Sequence, residues 1–163
     1  MRLLRETPSD SEDVEWLYDL AFAPGRRALS SYQLRRGVAP VAPLCRIARD
    51  DFGGLAGAIR YWEVAVGGAP ALLLGPVAVH PTRQGEGIGG LLIGDSLGEA
   101  RREGWTRVIL VGDEPYYRRF GFTRSEAADV RFPPPTNPER VLATALEPDA
   151  WAGIRGVVSK PDA

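Results

Sequence analysis

The chain has 163 residues, 44% apolar and 25% charged, which is enough for one domain with a substantial core and too short for two ordinary ones. A formal net charge of −1 and a pI near 5.9 exclude a general attraction to nucleic acid or to anionic membranes. Cys45 is the only cysteine, which excludes an internal disulfide, and with His80 as the only histidine it cannot form a metal cluster. No apolar run reaches the ~20 residues of a membrane span, and the first ten residues lack a signal-peptide core. The expected location is therefore the cytoplasm.

The first quarter of the chain predicts one strand and two helices. Leu3-Leu4 indicates a short strand, and Ser9-Asp10-Ser11-Glu12 has the spacing of a capping box that opens a helix ending near Phe22. Pro24-Gly25 should stop that helix. A weaker helix is predicted over 28–36.

This second helix and the residues just before it carry four arginines, Arg26, Arg27, Arg35 and Arg36. They could rim an acceptor site for an acidic group. The commoner arrangement for such charges is a solvated helix face, and that is what we expect here.

The next elements predict an antiparallel meander. A strand over 44–49, a hairpin turn at Asp51-Phe52-Gly53-Gly54 and a partner strand over 55–66 follow one another. Gly67-Gly68 then turns the chain into a central strand.

That central strand is almost continuously apolar from Leu72 to Val79, which indicates burial on both faces. Gly75-Pro76 interrupts it. Because proline cannot donate to a strand ladder, we expect the strand to be bulged or splayed there. A splayed strand leaves main-chain groups without a neighbour, and a ligand can take the place of the missing strand.

A glycine-rich turn, Gln84-Gly85-Glu86-Gly87-Ile88-Gly89-Gly90, leads from this strand into a helix. Bare N–H groups and the positive end of the helix dipole then meet at one point, which suits a phosphate or pyrophosphate. Gly85, Gly87 and Gly90 satisfy the dinucleotide-binding pattern G-x-G-x-x-G, with Asp113 about where a ribose-binding acid is expected. Against that interpretation, five residues, His80 to Gln84, separate the strand from the first glycine of the pattern, and the chain after Asp113 is too short for a second mononucleotide half.

The pattern Q/R-x-x-G-x-G/A fits better, as Gln84 to Gly89 preceded by Val77-Ala78-Val79-His80-Pro81. At these residues the sequence resembles the GNAT superfamily of acyl-CoA-dependent N-acetyltransferases. A second motif, from Asp113 to Phe122, resembles the short helix of that family, with Tyr117 four residues before Gly121. The wording of both motifs is closest to the YhbS-like branch, and the similarity extends through 139–146.

The resemblance implies a GNAT fold of α/β (α+β) class. The sheet would be mixed, mainly antiparallel, with six to seven strands, splayed at the central strand and covered by helices on both faces. The segment 108–111 would be a parallel neighbour of the central strand, Phe122 would open another strand, and a strand over 141–146 would follow a proline loop over 133–138. The loop would bear on specificity. In the tail, Trp151, Ile154 and Val157 would pack on the sheet.

The resemblance also implies a reaction, transfer of an acetyl group from acetyl-CoA, the co-substrate, to a primary amine on a small molecule or a protein. No metal takes part. The Val77 N–H would stabilise the oxyanion, and Tyr117 would protonate the leaving thiolate, whereas Tyr116 would pack. The coenzyme would be bound by the end of the central strand, the residue before the turn, and the turn itself: Val77, Ala78, Val79, Arg83, Gln84, Gly85, Glu86, Gly87, Ile88, Gly89 and Gly90.

No residue is assigned as the general base. Some relatives have a glutamate on the central strand where this chain has Leu73. Glu63 could act through a water, and we expect His80 to stabilise the turn. Two other functions stay open, a non-catalytic acyl-CoA-binding module and a nicotinamide-dependent enzyme. A homodimer through exposed strands also stays open.

Overall fold

The structure is a computed structural model, and it describes residues 1–22, 26 and 29–161. In chain order, its helices and strands are β1 (Arg2–Arg5), α1 (Ser11–Ala21), α2 (Ser30–Arg35), β2 (Arg46–Arg49), β3 (Leu55–Val66), β4 (Ala69–Val79), α3 (Ile88–Arg102), β5 (Arg107–Val111), α4 (Glu114–Tyr117), β6 (Val130–Arg131), β7 (Val141–Ala145) and β8 (Gly156–Ser159). None of the described helices is both long enough and apolar enough to cross a membrane.

The strands form one open, twisted sheet whose main path is β1-β2-β3-β4-β5-β7. Neighbours on this path are antiparallel except β4 and β5, which are parallel. β8 pairs with the far end of β3 and with β6. The mixed, mainly antiparallel sheet is therefore confirmed.

Helices cover both faces of this sheet. α3 packs on one face through Ile88, Leu92, Ile93 and Leu97. A Cβ on Gly57 would lie 2.9 Å from side-chain atoms of Ile88 and Leu92, so the close approach of α3 to β3 requires glycine there. α1 packs on the opposite face, where its buried residues meet Ala58 and Ala78. α2 and the C-terminal segment cover the remainder of that face, around Leu73 and Ile109.

Three details of the first half differ from the sequence-based expectations. The reciprocal capping lies earlier, because the Thr7 N–H donates to Asp10 Oδ2 at 2.8 Å and a short 3-10 turn precedes Ser11. The first helix ends at Ala21, and the expected stop at Pro24-Gly25 lies outside the described residues. The second helix is described only over Ser30–Arg35.

The second half differs in its strands. The expected strand at Phe122 is wrong, because the left-handed Gly121 and a 3-10 turn starting at Ser125 leave room only for a single bridge from Thr123 to Ala143. The two short strands β6 and β8 were not expected, and they bring the described strands to eight. In the tail, Trp151 is buried and Ile154 packs beside it, but the buried valine is Val158 and not Val157.

Candidate active site

The central strand is bulged at the expected place. Ile59 pairs with Val77 and Tyr61 with Leu74, so Arg60 alone faces both Gly75 and Pro76. Two side chains on the α1 face of the sheet donate hydrogen bonds to the two carbonyl groups at this bulge. The Tyr18 hydroxyl donates to the Pro76 carbonyl at 3.0 Å, and Trp62 Nε1 donates to the Gly75 carbonyl at 2.8 Å.

After Leu73, just before the bulge, β4 and β5 separate. The parallel pairing joins Leu72 to Val108 and Leu73 to Ile109, and it does not continue. The remainder of β5 pairs with β7, and the remainder of β4 pairs only with β3. We call the gap beside residues 74–79 the β4–β5 slot.

The register directs main-chain groups into this slot. His80 N donates to Ala56 O at 2.8 Å, and alternate residues of an antiparallel pair bond to the partner strand. Ala78 therefore bonds toward β3, whereas the N–H and C=O groups of Val77 and Val79 point away from it. The slot receives the groups that a neighbouring strand would otherwise bind.

The glycine turn lies at the end of the slot and opens α3. Gly87 is the residue before the helix, its φ of +79° is left-handed, and it has no side chain to cap the helix. The first intrahelical hydrogen bond at this end runs from Leu91 N to Gly87 O at 3.1 Å. The N–H groups of Ile88, Gly89 and Gly90 precede it and lack intrahelical acceptors.

Gly89 and Gly90 have a second role, since they let the helix start approach the α4 segment. A Cβ on Gly89 would lie 3.3 Å from the Tyr116 hydroxyl and 3.6 Å from Val79, and one on Gly90 would lie 3.6 Å from the Phe120 ring. Tyr116 thus packs against the turn, as expected.

Arg83 lies beside the turn, but its guanidinium is already engaged. Nε donates to Glu86 Oε2 at 2.9 Å, and Nη1 donates to Asp50 Oδ2 at 3.3 Å. Contact of Arg83 with a phosphate stays a prediction, because the guanidinium would first have to leave these two carboxylates.

Tyr117 lies at the β5 side of the slot. A Cβ on Gly112 would lie 2.5 Å from Tyr117 Cε2, so the ring rests directly on the backbone that follows β5. The ring packs on the same core cluster as Val77 and Val79. Burial, with smaller contributions from Tyr116 and Asp113, raises the pKa of Tyr117 to about 12. The phenol therefore keeps its proton at neutral pH.

Neither Glu63 nor His80 is placed as a general base in the slot. Glu63 pairs with Leu72, at a point where β4 is still paired with β5, so it lies away from the gap beside residues 74–79. His80 Nδ1 accepts from Thr82 N at 3.2 Å and is 2.8 Å from Thr82 Oγ1, so it stabilises the turn as expected. In the part of the chain described, no three His, Cys, Asp or Glu side chains gather as metal ligands would.

The α1 face of the bulge holds a cleft of about 470 Å³, which we call the arginine cleft. Its walls include Pro76 and a set of aromatic and guanidinium side chains: Tyr18, Tyr32, Trp62, Arg26, Arg35 and Arg60. The expectation of a solvated arginine face is wrong for Arg26, which is 5% exposed, and for Arg35, whose Nε and Nη1 atoms are buried. Arg36 is exposed, and Arg27 lies outside the described residues.

Ion pairs organise most of this cleft. Arg60 binds Glu6 through Nε at 3.0 Å and Nη2 at 2.8 Å, and binds Glu15 through Nη1 at 2.6 Å. Arg26 binds Glu15 and Asp19. Burial would raise the pKa of Glu15, but hydrogen bonds from Arg60 and then Arg26 outweigh burial and lower it. A carboxylate held in this way is a poor proton acceptor.

Sequence reasoning missed Arg60, Trp62 and Tyr18. Arg60 offered one signal, since a charged residue in the middle of a long apolar strand needs a partner when buried. Tyr18 and Trp62 offered none, because aromatic side chains at such positions are usually core.

An open mixed sheet, parted beside a bulged central strand and followed by a glycine turn and a helix, defines the class of coenzyme A-dependent acyltransferases. A family model described as an acetyltransferase (GNAT) domain matches residues 43–124. The chain belongs to this family and is a YhbS-like N-acetyltransferase. The dinucleotide-binding interpretation is thereby overturned.

Relatives resemble the chain over nearly its whole length. The uncharacterized N-acetyltransferase YhbS of Escherichia coli (strain K12) is 28% identical over 155 residues, which cover 94% of this chain and 92% of that protein. The crystal structure of YhbS from Escherichia coli in complex with CoA matches with a TM-score of 0.84 at 26% identity, covering 98% of this chain and 88% of that one. A GNAT family acetyltransferase from Brucella melitensis in complex with acetyl-CoA matches with a TM-score of 0.74 at 30% identity, covering 97% and 94%.

Proposed function

We propose that this protein transfers the acetyl group of acetyl-CoA directly to a primary amine. The observation that carries the proposal is the β4–β5 slot, with the main-chain groups of Val77 and Val79 directed into it and the glycine turn at its end. The CoA and acetyl-CoA bound by the two structural relatives support the choice of donor.

The donor would lie along the slot as an added strand. Val77 and Val79 would bind its amide groups, and residues 84–90 would bind the pyrophosphate through N–H groups at the start of α3. The glycines fit this role, because a Cβ on Gly85 or Gly87 would meet nothing within 4 Å and the surface there is open.

Two groups of this chain would serve the chemistry. The amine nitrogen attacks the thioester carbonyl carbon, and the Val77 N–H donates to the oxygen that becomes negative. The tetrahedral species collapses by breaking the carbon–sulfur bond, and Tyr117 donates its proton to the leaving thiolate. The nitrogen loses its proton to water, since neither Glu63 nor His80 supplies a base there.

Direct transfer is favoured over an acyl-enzyme. The only cysteine, Cys45, is 3% exposed and lies between a short 3-10 turn and the start of β2. Burial raises the pKa of its thiol to about 11, so little thiolate is present at neutral pH.

The test is thiol release from acetyl-CoA over a panel of amines, with the N-acetyl product identified by mass spectrometry. We expect release that depends on the amine, and an intact protein mass that is unchanged after incubation with acetyl-CoA alone. Tight acetyl-CoA binding without release for any amine would identify an acyl-CoA-binding module instead. A stable acetyl-protein would contradict direct transfer.

We also propose that residues 1–163 act as one acetyltransferase domain, since the relatives match across it. The cytoplasmic location and the homodimer stay predictions from the sequence.

A further inference from the structure

Among the described residues, Arg35 is the arginine of the cleft whose guanidinium has buried N–H groups without a partner. Arg35 Nε and Nη1 are buried, and no described residue accepts a hydrogen bond from them. Burial lowers the pKa of Arg35 to about 10. A buried charge without a partner is unfavourable, so its presence at the wall of a cleft calls for an explanation.

The neighbouring charges cannot supply that partner. Glu6, Glu15 and Asp19 are bound by Arg60 and Arg26. Within the described ranges, no ion pair joins Arg35 to any carboxylate. The cleft therefore has an excess of positive charge at Arg35.

Aromatic rings hold Arg35 in place. Its guanidinium carbon lies 4.3 Å from the centre of the Tyr32 ring and 5.7 Å from that of Trp62. These two ring contacts fix the guanidinium at the wall of the cleft, and its Nε and Nη1 groups have no acceptor among the described residues. Planar N–H edges bind a carboxylate through two parallel hydrogen bonds.

Arg35 is also next to the reacting region. A Cβ on Gly75 would lie 3.5 Å from Arg35 Nη2, and Trp62 binds the Gly75 carbonyl. An anion on Arg35 would thus lie beside the bulge, on the face opposite α3. A ligand that joins Arg35 to the thioester must be compact.

We propose that Arg35 binds a carboxylate of the acceptor, so that the enzyme acetylates compact amines bearing an acidic group, of which α-amino acids are the simplest. This inference rests on the proposed function. The amine would approach the bulge from the arginine cleft while the coenzyme lies in the β4–β5 slot.

The test compares each α-amino acid in a panel with its own carboxamide, which keeps the amine and removes the negative charge. Wild type, Arg35→Met, Arg35→Lys and the charge-matched control Arg101→Met are assayed for thiol release, and an aminoalkyl phosphate serves as a second anion. We expect wild type to prefer the acid by about tenfold in kcat/KM. Arg35→Met should lose that preference, Arg35→Lys should keep part of it, and Arg101→Met, on an exposed part of α3, should keep all of it.

A second measurement needs no turnover, the shift of the melting temperature by the acid relative to its amide. We expect a larger shift for the acid in wild type and Arg101→Met, and equal shifts in Arg35→Met. If wild type does not distinguish acid from amide in this measurement, or if Arg35→Met still does, the inference is overturned. A preference for the phosphate over the carboxylate would also overturn it. Absence of thiol release with every amine would count against the proposed function alone, because the melting shifts judge the carboxylate site independently.

Discussion

The two faces of the bulge in β4 expose different chemical groups, mostly main-chain groups on one face and side chains on the other. On the α3 face, the β4–β5 slot and the glycine turn present main-chain groups, with apolar side chains and Tyr117 beside the slot and with Arg83 bound to carboxylates beside the turn. On the α1 face, the arginine cleft presents charged and aromatic side chains drawn from α1, α2 and β3. One short stretch of backbone separates the two.

This difference suggests that one face binds the coenzyme and the other binds the acceptor. A binding surface made of backbone recognises what every acyl-CoA shares, because main-chain N–H groups carry no residue-specific chemistry. A surface made of side chains changes with single substitutions and, if our proposal is correct, would set the acceptor. Substitutions on one face should therefore affect coenzyme affinity, and substitutions on the other should affect acceptor preference.

The largest effect should come from Gly87→Glu in the glycine turn, on the α3 face. The left-handed backbone at φ +79° is unfavourable for any other residue by ~1–2 kcal/mol, and the new carboxylate would meet the pyrophosphate. We expect calorimetry to detect no acetyl-CoA binding by a folded protein. Gly94→Glu is the matched control, since it adds the same charge to the exposed surface of α3. Equal loss in both variants would remove the glycine turn from coenzyme binding.

Tyr117→Phe should separate chemistry from binding. Loss of the proton donor should lower kcat by about a hundredfold, while the dissociation constant for acetyl-CoA changes little. Tyr116→Phe is the control, because Tyr116 packs on the turn. Full activity in Tyr117→Phe would exclude Tyr117 from the reaction.

The pKa of Tyr117 also predicts a pH profile. Because the folded pKa is about 12, the phenol stays protonated throughout the usual assay range. The kcat of wild type should show no alkaline fall from loss of this proton below about pH 11. A fall near pH 8 that is present in wild type and absent in Tyr117→Phe would show that the pKa of Tyr117 lies well below 12.

Gly112→Ala should act on Tyr117 through geometry. The added methyl group would lie 2.5 Å from Tyr117 Cε2, so the ring must move. We expect kcat to fall by about tenfold with coenzyme affinity retained. Gly98→Ala in α3, where the nearest atom is an arginine nitrogen at 3.6 Å, should leave kcat unchanged.

Tyr18→Phe should test how the side chains on the α1 face stabilise the bulge. The variant leaves the Pro76 carbonyl without its buried donor, which should lower the free energy of unfolding by ~1–3 kcal/mol in denaturant titration. Tyr61→Phe is the control, since Ser96 Oγ still donates to Leu92 O at 2.7 Å. An equal loss in both variants would show that the bulge carbonyl has no special need of Tyr18.

Asp10→Asn lies outside both faces and should have the smallest effect. The hydrogen bond from Arg49, followed by that from the Thr7 N–H, lowers the pKa of Asp10. Its contribution is therefore complete above the unfolded pKa of ~3.9 and is lost as the pH falls through the lower folded value. Compared with wild type, the variant should lose less stability on acidification from pH 5 to pH 3, with both ligand affinities unchanged. An unaltered acid dependence would contradict the pairing.

The bulge in β4 and the glycine turn could be predicted from the sequence because each depends on a few consecutive residues. Pro76 cannot donate to a ladder, Gly87 can adopt a left-handed backbone, and both facts depend on residue type alone. The strand expected at Phe122 failed for the opposite reason, since the 3-10 turn that follows Gly121 depends on how this segment meets β7.

The sequence by itself determined the bulged strand, the glycine turn and the position of Tyr117 in its motif, because each follows from the conformational limits of a few consecutive residues. Only the tertiary structure decided which buried guanidinium of the arginine cleft has no carboxylate among the described residues. Arg26 and Arg35 are the same side chain, but α1 gives carboxylates to Arg26, whereas Arg35 is packed against Tyr32 and Trp62. Partners for a buried charge come from elements distant along the chain, and their arrangement depends on packing that no local pattern specifies.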